Sequence, residues 1–376
     1  MKKWGWRVTF AGSLLLAAAL AAPAQEPSVV NARLETRPAA AGLEREFRAL
    51  VESSAAPAWI AYGGPAVAGR HRSCCGYMTT SDDGWSNCCG GCRLEGKGKE
   101  AWHSVTTSPV QLEGSRVLFV LFRVEGKAVG QIRAYTEDCQ LDAGGLPFYV
   151  LTGVRPAESV ALLLRFARTE SAGSPASGRP ADEDKDEKRL SDAAIAAIAL
   201  HGDAAADAAL EQLVAPQQPA RLREKASFWL GAARGRRGYE ILRKMVREDP
   251  DERVREKVIF ALSVSKQPEA VDEMIRAARD DSSSRVRGQA LFWLAQKAGQ
   301  KASAAITEAI ERDPETEVKK RAVFALSQLP KDEGVPLLIQ VARSNRNPAA
   351  RKQAIFWLGQ SKDPRALAFF EQVLKP

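Results

Sequence analysis

Six cysteines lie between residues 74 and 139, and the rest of the chain has none. The segment around the first five is rich in Gly, Ser, Asp and Asn, so it has too little apolar surface to form a core of its own. Cross-links would stabilise such a segment, typically by about 2–4 kcal/mol each. We therefore predict disulfides, without choosing among the pairings, at Cys74, Cys75, Cys88, Cys89, Cys92 and Cys139.

The same segment could do other chemistry. Thiolates of Cys88, Cys89 and Cys92 together with the imidazole of His103 are ligands that suit zinc, although the spacing is not a clean pair of CxxC motifs. Basic residues just before Cys74 could also lower the pKa of its thiol and make it reactive. An enzyme, or a redox or metal-binding module centred on residues 74–92, therefore stands as the alternative function.

The first residues have the layout of a secretory signal. Three basic residues among the first seven precede an apolar stretch, Val8–Ala22, and Ala22-Pro23-Ala24 resembles a signal-peptidase site. The stretch is shorter than the roughly 20 residues of a membrane span, and no later segment is long and apolar enough to be one. We expect a cleaved signal peptide at residues 1–24, a periplasmic or secreted mature chain, and therefore oxidised cysteines.

Composition and charge restrict the partners. The 376 residues are 45% apolar and 27% charged, which is ordinary for a globular protein of two or three folding units. Residues 25–220 carry 20 basic and 25 acidic side chains, whereas residues 221–376 carry 31 and 21, a net charge of +10. This asymmetry predicts a protein partner with an acidic surface. Export and the absence of nucleic-acid-binding motifs exclude nucleic acid from our expectation.

The C-terminal half repeats itself every 32 residues. Phenylalanines recur at this interval, with a leucine two residues later and a basic residue five residues earlier. The phenylalanine column consists of Phe228, Phe260, Phe292, Phe324 and Phe356. Within each unit, breakers such as Pro250 and Pro268 separate two segments of helical periodicity. A two-helix unit this short cannot bury its apolar face alone, so the units must stack into a solenoid.

The units resemble HEAT repeats, in the short form also found in bilin-lyase-type proteins. The shared pattern is an acidic turn, a Val-Arg pair and an Ala-Leu pair, as in Asp249, Val254-Arg255 and Ala261-Leu262. The resemblance covers residues 190–376, with five clear units after a degenerate one. It implies an α–α superhelix whose second helices line a concave surface that usually binds protein, and it does not identify a ligand.

The basic column predicts ion pairs between units. An acidic residue lies six positions before most of these cations, so we expect it to pair with the column and hold the stack together. The predicted ladder consists of Asp249, Arg255, Asp281, Arg287, Asp313, Lys319 and Arg351. The last unit departs from the pattern, because Asn345 replaces the acidic residue.

Aromatic residues recur beside the phenylalanines and alternate with alanine from unit to unit. Alternation of large and small side chains lets neighbouring layers interdigitate, so we predict core packing rather than a stacking platform for a ligand. The predicted repeat core consists of Phe228, Trp229, Phe260, Phe292, Trp293, Phe324, Phe356 and Trp357.

The N-terminal half reads as a small α+β domain over residues 25–168. An amphipathic helix near Gly42–Val51, a buried strand at Val117–Val124 and a helix beginning at Pro156 are its clearest elements. A charged, proline- and serine-rich run at residues 169–189 predicts a linker to the solenoid at 190–376. No catalytic motif is present, so we expect an exported, non-catalytic protein-interaction scaffold or adaptor of the cell envelope, without a cofactor.

Overall fold

The computed structural model describes residues 26–68, 72–74, 77–79, 91–95, 101–102, 116–137, 140–169, 181–297 and 300–375. The N-terminal half contains mixed β-sheets with helices, and a run of paired helices follows it. This arrangement confirms the predicted fold class, an α+β half joined to an all-α solenoid. Of the six cysteines, Cys75, Cys88, Cys89 and Cys139 lie outside the described residues, and so does His103.

Two sheets form the described part of the α+β half, with a separate two-stranded ribbon of β4 and β5. A five-stranded sheet has the order β2-β11-β3-β8-β9, and a four-stranded sheet has the order β1-β10-β6-β7. The strands are β1 (Val29–Val30), β2 (Arg33–Pro38), β3 (Ala58–Pro65), β4 (Arg72–Cys74), β5 (Tyr77–Thr79), β6 (Gly91–Arg93), β7 (Ala101–Trp102), β8 (Val117–Glu125), β9 (Ala128–Thr136), β10 (Gln140–Asp142) and β11 (Pro147–Thr152).

The five-stranded sheet is buried on both faces at its central strands, and alternation along β3 shows how. Ile60 and Tyr62 point to the face covered by helices, whereas Trp59 and Ala61 belong to a second apolar cluster on the opposite face. Leu141 of the four-stranded sheet lies in that second cluster. Side chains of a strand alternate between faces, so a strand buried on both sides must be apolar throughout.

The hairpin of β8 and β9 follows the sequence closely. The run of β-branched, aromatic and leucine residues from Leu118 to Phe122 is completely buried, as predicted for a central strand. Gly126 and Lys127 between the two strands both have positive φ, at 56° and 63°. Such a turn matches the right-handed twist of the flanking strands and therefore fixes their register.

Three helices cover one face of the five-stranded sheet. They are α1 (Leu43–Ser53), α2 (Pro156–Arg168) and α3 (Ala181–Leu200). Phe47 of α1 meets Phe122 of β8 edge-on, with ring centroids 4.7 Å apart. The segment that we predicted as a linker is helical from Ala181 onward, because Ala, Glu and Lys are good helix formers and the end of α3 packs on α2 and β9.

The two halves share a buried polar contact at their junction. His201, at the end of α3, is 1% exposed, and its Nε2 lies 2.7 Å from the Oγ of Ser159 on α2. That hydroxyl lies 2.9 Å from the hydroxyl of Tyr62 on β3. Nδ1 of His201 faces the carbonyl oxygen of Ala197 at 2.7 Å, so the neutral ring carries its proton on Nδ1. Burial lowers the pKa of His201.

Paired helices build the C-terminal half, after α4 (Ala204–Leu213) completes a degenerate unit with α3. The first helices of the five units are α5 (Ala220–Ala233), α7 (Glu252–Val264), α9 (Ser284–Lys297), α11 (Thr316–Gln328) and α13 (Pro348–Gln360). The second helices are α6 (Gly235–Glu248), α8 (Glu269–Asp280), α10 (Gln300–Arg312), α12 (Lys331–Ser344) and α14 (Pro364–Leu374). Across the described helices, none is both long enough and apolar enough to cross a bilayer.

Neighbouring units bury one continuous core. Val254, Val258 and Leu262 of α7 are completely buried, as the helical period predicts, and the same apolar cluster continues into the sheet of the α+β half. The first helices approach closely where glycine allows it: a Cβ on Gly231 of α5 would overlap the backbone carbonyl of Ala261 on α7. The stack therefore forms one packed body with the N-terminal half.

Candidate functional site

Three arginines of the first helices each bind the aspartate that follows 26 residues later. The contact is bidentate, because Nε and Nη2 of each guanidinium reach both oxygens of one carboxylate. The Nε–Oδ2 and Nη2–Oδ1 distances are 2.9 and 3.0 Å for Arg223–Asp249, 2.9 and 2.9 Å for Arg255–Asp281, and 2.7 and 3.1 Å for Arg287–Asp313. Each pair bridges one unit to the next, and we call the series the guanidinium ladder.

The pairing corrects the partner that the sequence suggested. For Arg255 and Arg287, the aspartate six positions earlier contributes its backbone carbonyl instead of its carboxylate: Nη1 of Arg255 donates to the carbonyl oxygen of Asp249 at 2.9 Å, and Arg287 does the same to Asp281. Nη1 of Arg223 likewise donates to carbonyl oxygens of the turn before its helix. Each arginine therefore ties the turn before its own helix to the carboxylate of the next unit. Hydrogen bonding to that carboxylate raises the pKa of Arg255 and of Arg287.

The ladder ends at the fourth unit. Lys319 replaces arginine, and its Nζ donates to the carbonyl oxygens of Ile310 and Glu311 at 2.8 and 2.7 Å. Within the described part of the chain, the Oδ1 of Asn345 accepts one hydrogen bond, from the backbone N–H of Asn347. Arg351 donates to the carbonyl of Asn345 at 2.7 Å and makes no ion pair with a described carboxylate. A cavity of about 690 Å³ opens here, between α10, α11 and α12.

The aromatic residues of the units form one continuous series of rings. Successive ring centroids lie between 4.7 and 6.0 Å apart across the five first helices. In order of contact, the rings belong to Trp229, Phe228, Phe260, Trp293, Phe292, Phe324, Trp357 and Phe356. We call this series the aromatic strip.

The strip is not the buried core that we predicted. Seven of its side chains are half-buried and Phe356 is 52% exposed, whereas the small residues that alternate with tryptophan, Ala261 and Ala325, are completely buried. The three tryptophans do rest against the core. The phenylalanines lie on the side of each helix away from the fully buried positions, and helical spacing therefore turns them outward.

Two indoles of the strip have an unpaired donor. The Nε1 atoms of Trp293 and Trp357 are shielded from solvent, and no described atom accepts a hydrogen bond from them. A buried donor without an acceptor costs about 1–3 kcal/mol. Packing of the strip therefore includes a polar cost that phenylalanine at these positions would not carry.

The first helices carry almost all of the positive charge of the solenoid. Together they contain 14 basic and 4 acidic residues, a net charge of +10, whereas the five second helices contain 12 and 11. The residues three, four and seven positions before each phenylalanine lie on its helix face. In these rows eight residues are basic and three are acidic. The aromatic strip thus lies in a positive surface.

A family model described as HEAT repeats matches residues 208–295 and 303–376. The C-terminal half is a HEAT-repeat array. No curated protein sequence matches the chain. Among solved structures, the chain is similar to the CpcE–CpcF complex of phycocyanin lyase from Nostoc sp. PCC7120, with 22% identity over 41% of this chain and 99% of that chain, at a TM-score of 0.33. It is also similar to human deoxyhypusine hydroxylase, with 18% identity over 58% of this chain and 90% of that chain, at a TM-score of 0.24.

The second helices of the HEAT array are bridged in a different way. Glu273 of α8 is 6% exposed and forms ion pairs with Arg247 of α6 and with Arg276 of its own helix, the latter at 3.1 Å. Burial raises the pKa of Glu273, but the two guanidinium groups lower it by more than burial raises it. The net shift of the pKa is therefore downward. Further along, Nε of Arg279 donates to Glu308 of α10 at 2.8 Å. Charges on this side of the HEAT array are thus largely paired.

The described part of the cysteine segment packs against the five-stranded sheet. Cys92 is 1% exposed and is disulfide-bonded. Nearby, the Oε1 of Glu95 accepts from the indole of Trp59 and from Nε of Arg123, both at 2.9 Å. Within the described residues, no cluster of His, Cys, Asp and Glu could hold a metal ion.

The sequence interpretation of this segment missed a Cys-x-x-Cys spacing. Two glycines separate Cys89 from Cys92, which is a Cys-x-x-Cys spacing of the kind found in redox pairs and metal sites. This spacing was the sequence signal for a candidate redox pair or metal site at Cys89 and Cys92. The zinc alternative at Cys88, Cys89, Cys92 and His103 stays a prediction, because only Cys92 of the four is described.

Proposed function

We propose that the protein is an exported scaffold or adaptor of the cell envelope whose HEAT array binds a protein partner with an acidic surface. HEAT repeats suggest an interaction role. The observation that carries the proposal is the one-sided charge of the array. The first helices carry +10, of which +7 remains when the three arginines paired with aspartates of the turns are left out, and the second helices carry +1. A field of one sign attracts a partner of the opposite sign and speeds the encounter.

The guanidinium ladder supports this proposal through rigidity. Arg223, Arg255 and Arg287 are engaged by carboxylates and carbonyls, so these three cations hold the stack and are not available to a partner. A stack with fixed spacing presents its remaining basic side chains in a defined pattern. Pre-arranged side chains lose less conformational freedom when a partner binds.

The proposal places the mature chain in the periplasm or outside the cell. It is supported by the layout of residues 1–24, and by the disulfide at Cys92, a bond that persists in oxidising compartments. Mass spectrometry of the protein purified from a cell-envelope fraction is expected to give an N-terminus at Gln25. Recovery of intact Met1 from the cytoplasm would contradict export.

Cross-linking in living cells followed by affinity purification tests the scaffold function. We expect one or a few proteins with acidic surfaces to be recovered at stoichiometric amounts, and to be released as the salt concentration rises. A thiol and metal assay separates this function from a catalytic cysteine module. No free thiol and no bound metal in the native protein supports the scaffold, whereas a reactive thiol of low pKa or stoichiometric zinc supports the module.

A further inference from the structure

We propose that the aromatic strip, with the basic side chains beside it, is the docking site for an acidic segment of a partner protein that carries aromatic or aliphatic side chains. This inference rests on the proposed scaffold function and specifies where the partner binds. It assigns the contact to the first helices, whereas the family resemblance implied the second helices. Three features of the described residues support it.

The first feature is unpaired positive charge along the strip. Arg253, Lys257, Arg321 and Lys352 are exposed and make no ion pair with any described carboxylate. Lys257 and Arg321 each lie three residues before a phenylalanine of the strip, on the same helix face. No described carboxylate neutralises these cations, so their charge is available to a partner. Carboxylates are their natural counterparts.

Arg321 shows that these cations reach the strip across units. A Cβ on Gly288 of α9 would overlap the Cδ of Arg321, so the stem of this arginine crosses the α9 backbone. Gly288 lies one helical turn before Phe292, whose ring is stacked at 6.0 Å on that of Phe324. Gly288 and Arg321 precede Phe292 and Phe324 by four and three residues, so each lies on the same helix face as its phenylalanine, where an acidic side chain and an apolar side chain could bind together.

The second feature is the incomplete burial of the rings. The strip ends at Phe356, which is 52% exposed, beside Ile355, which is 44% exposed. Aromatic rings that are packed into a rigid row and still partly open can bury further apolar area at little conformational cost. A purely polar acidic segment would leave this area uncovered. The partner segment is therefore expected to carry apolar side chains.

The third feature favours protein over nucleic acid. Phe260 has the ring of Phe228 stacked against it at 5.9 Å and the ring of Trp293 tilted against it at 4.7 Å. Phe324 is held in the same way by Phe292 and Trp357. Stacking of bases needs an open ring face. Rings whose faces are occupied by neighbours offer their edges, which carry partial positive charge and attract carboxylate oxygens.

The length of the segment follows from the array. Five parallel helices about 9 Å apart span roughly 36 Å, and an extended chain advances about 3.3 Å per residue, so about 11 residues reach from one end of the strip to the other. The probe is therefore a fluorescein-labelled peptide of about 12 residues in which glutamate alternates with phenylalanine. A second peptide has serine in place of each phenylalanine, and oligothymidylate serves as the nucleic-acid probe.

The test compares two double charge reversals in the full chain. Lys257→Glu with Arg321→Glu changes the strip, and Lys244→Glu with Lys301→Glu makes the same change in charge at exposed positions of the second helices. We expect the strip reversal to lower the affinity for the glutamate–phenylalanine peptide about 10-fold or more, as measured by fluorescence anisotropy. The control reversal is expected to lower this affinity less than about 2-fold. The serine peptide is expected to bind the wild-type chain more weakly. Circular dichroism checks that both variants are folded.

Several outcomes would overturn the inference. These are no peptide binding to the wild-type chain, equal loss in the two reversals, or tighter binding of oligothymidylate that the strip reversal abolishes. Self-association that depends on the strip would identify a second copy as the occupant and would also refute it. If the strip-reversal variant still binds the cross-linked partner, the proposed docking site is wrong, whereas the scaffold function remains supported. If the wild-type chain has no partner in cells, the scaffold function itself fails.

Discussion

Removal of one cation from the guanidinium ladder should destabilise the array strongly. In Arg287→Met, the carboxylate of Asp313, whose side chain is 5% exposed, loses donors at 2.7 and 3.1 Å. The donor that it keeps among the described residues is the backbone N–H of Glu315. The carbonyl of Asp281 loses its donor as well. Because breaking a buried pair leaves an uncompensated charge, we expect the free energy of unfolding to fall by about 3–5 kcal/mol.

Urea denaturation followed by far-UV circular dichroism measures this loss, and hydrogen exchange locates it. The matched control is Arg285→Met, two residues earlier, because Arg285 is 50% exposed and its Nη2 lies 3.0 Å from Glu256. An exposed pair of this kind is worth about 0–1 kcal/mol. Exchange should increase first in α9 and α11, since units of a repeat array are stabilised by their neighbours.

A second variant separates charge burial from packing. Replacing both partners, Arg287→Met with Asp313→Leu, removes the unpaired carboxylate, so we expect most of the lost stability to return. The reasoning is refuted if Arg287→Met costs no more than Arg285→Met, or if the double variant is less stable than Arg287→Met alone.

Three further predictions address other contacts. Lys319→Arg with Asn345→Asp should complete the ladder, and a double-mutant cycle in urea is expected to show a favourable coupling of about 1 kcal/mol or more; additive effects would contradict it. Gly231→Val should push α5 away from the carbonyl of Ala261 and cost about 1–3 kcal/mol, so an unchanged melting temperature would be the wrong result. The lowered pKa of His201 means that the unfolded chain binds a proton, near pH 6.5, that the folded chain does not. The free energy of unfolding should therefore fall as pH decreases below about 6.5, by at most about 1.4 kcal/mol per pH unit, and His201→Gln should remove that part of the slope; identical pH profiles would exclude this cause.

Local periodicity made the repeat half predictable. The 32-residue interval and the breakers at Pro250 and Pro268 indicated two helices per unit, and α7 and α8 begin two residues and one residue after these prolines. Helical period also identified the buried positions Val254 and Val258. These features depend on contacts within a few helical turns, which a single sequence records directly.

The partners in the ladder could not be predicted in the same way. The repeat pattern suggested Asp249, six residues before Arg255, as its partner, yet Asp281, 26 residues later, is the partner. That choice depends on how far one unit is displaced over the next, which no spacing within a unit reveals. The exposure of Phe356 was missed for a related reason, since alternation with alanine describes the tryptophan column and not the phenylalanines.

In the N-terminal half, prediction succeeded for strands with strong apolar patterns and failed for those defined by distant partners. The run in β8 was evident from its composition. Strand β2, in contrast, is exposed at nearly every residue and pairs in parallel with β11, more than 100 residues away. The acidic beginning of α3 has the composition of a linker, but it is helical, because the later part of the same helix packs on α2 and β9.

The polar contact of His201 with Ser159 has a mechanical consequence. It lies where the last turn of α3 is also held by backbone hydrogen bonds, from Val67 to Leu200 and from Gly202 to Pro65. These contacts leave no hinge at this point, so a force on the HEAT array is transmitted into the five-stranded sheet. Binding of a partner to the array should therefore slow amide exchange in β3, although the partner does not contact that strand.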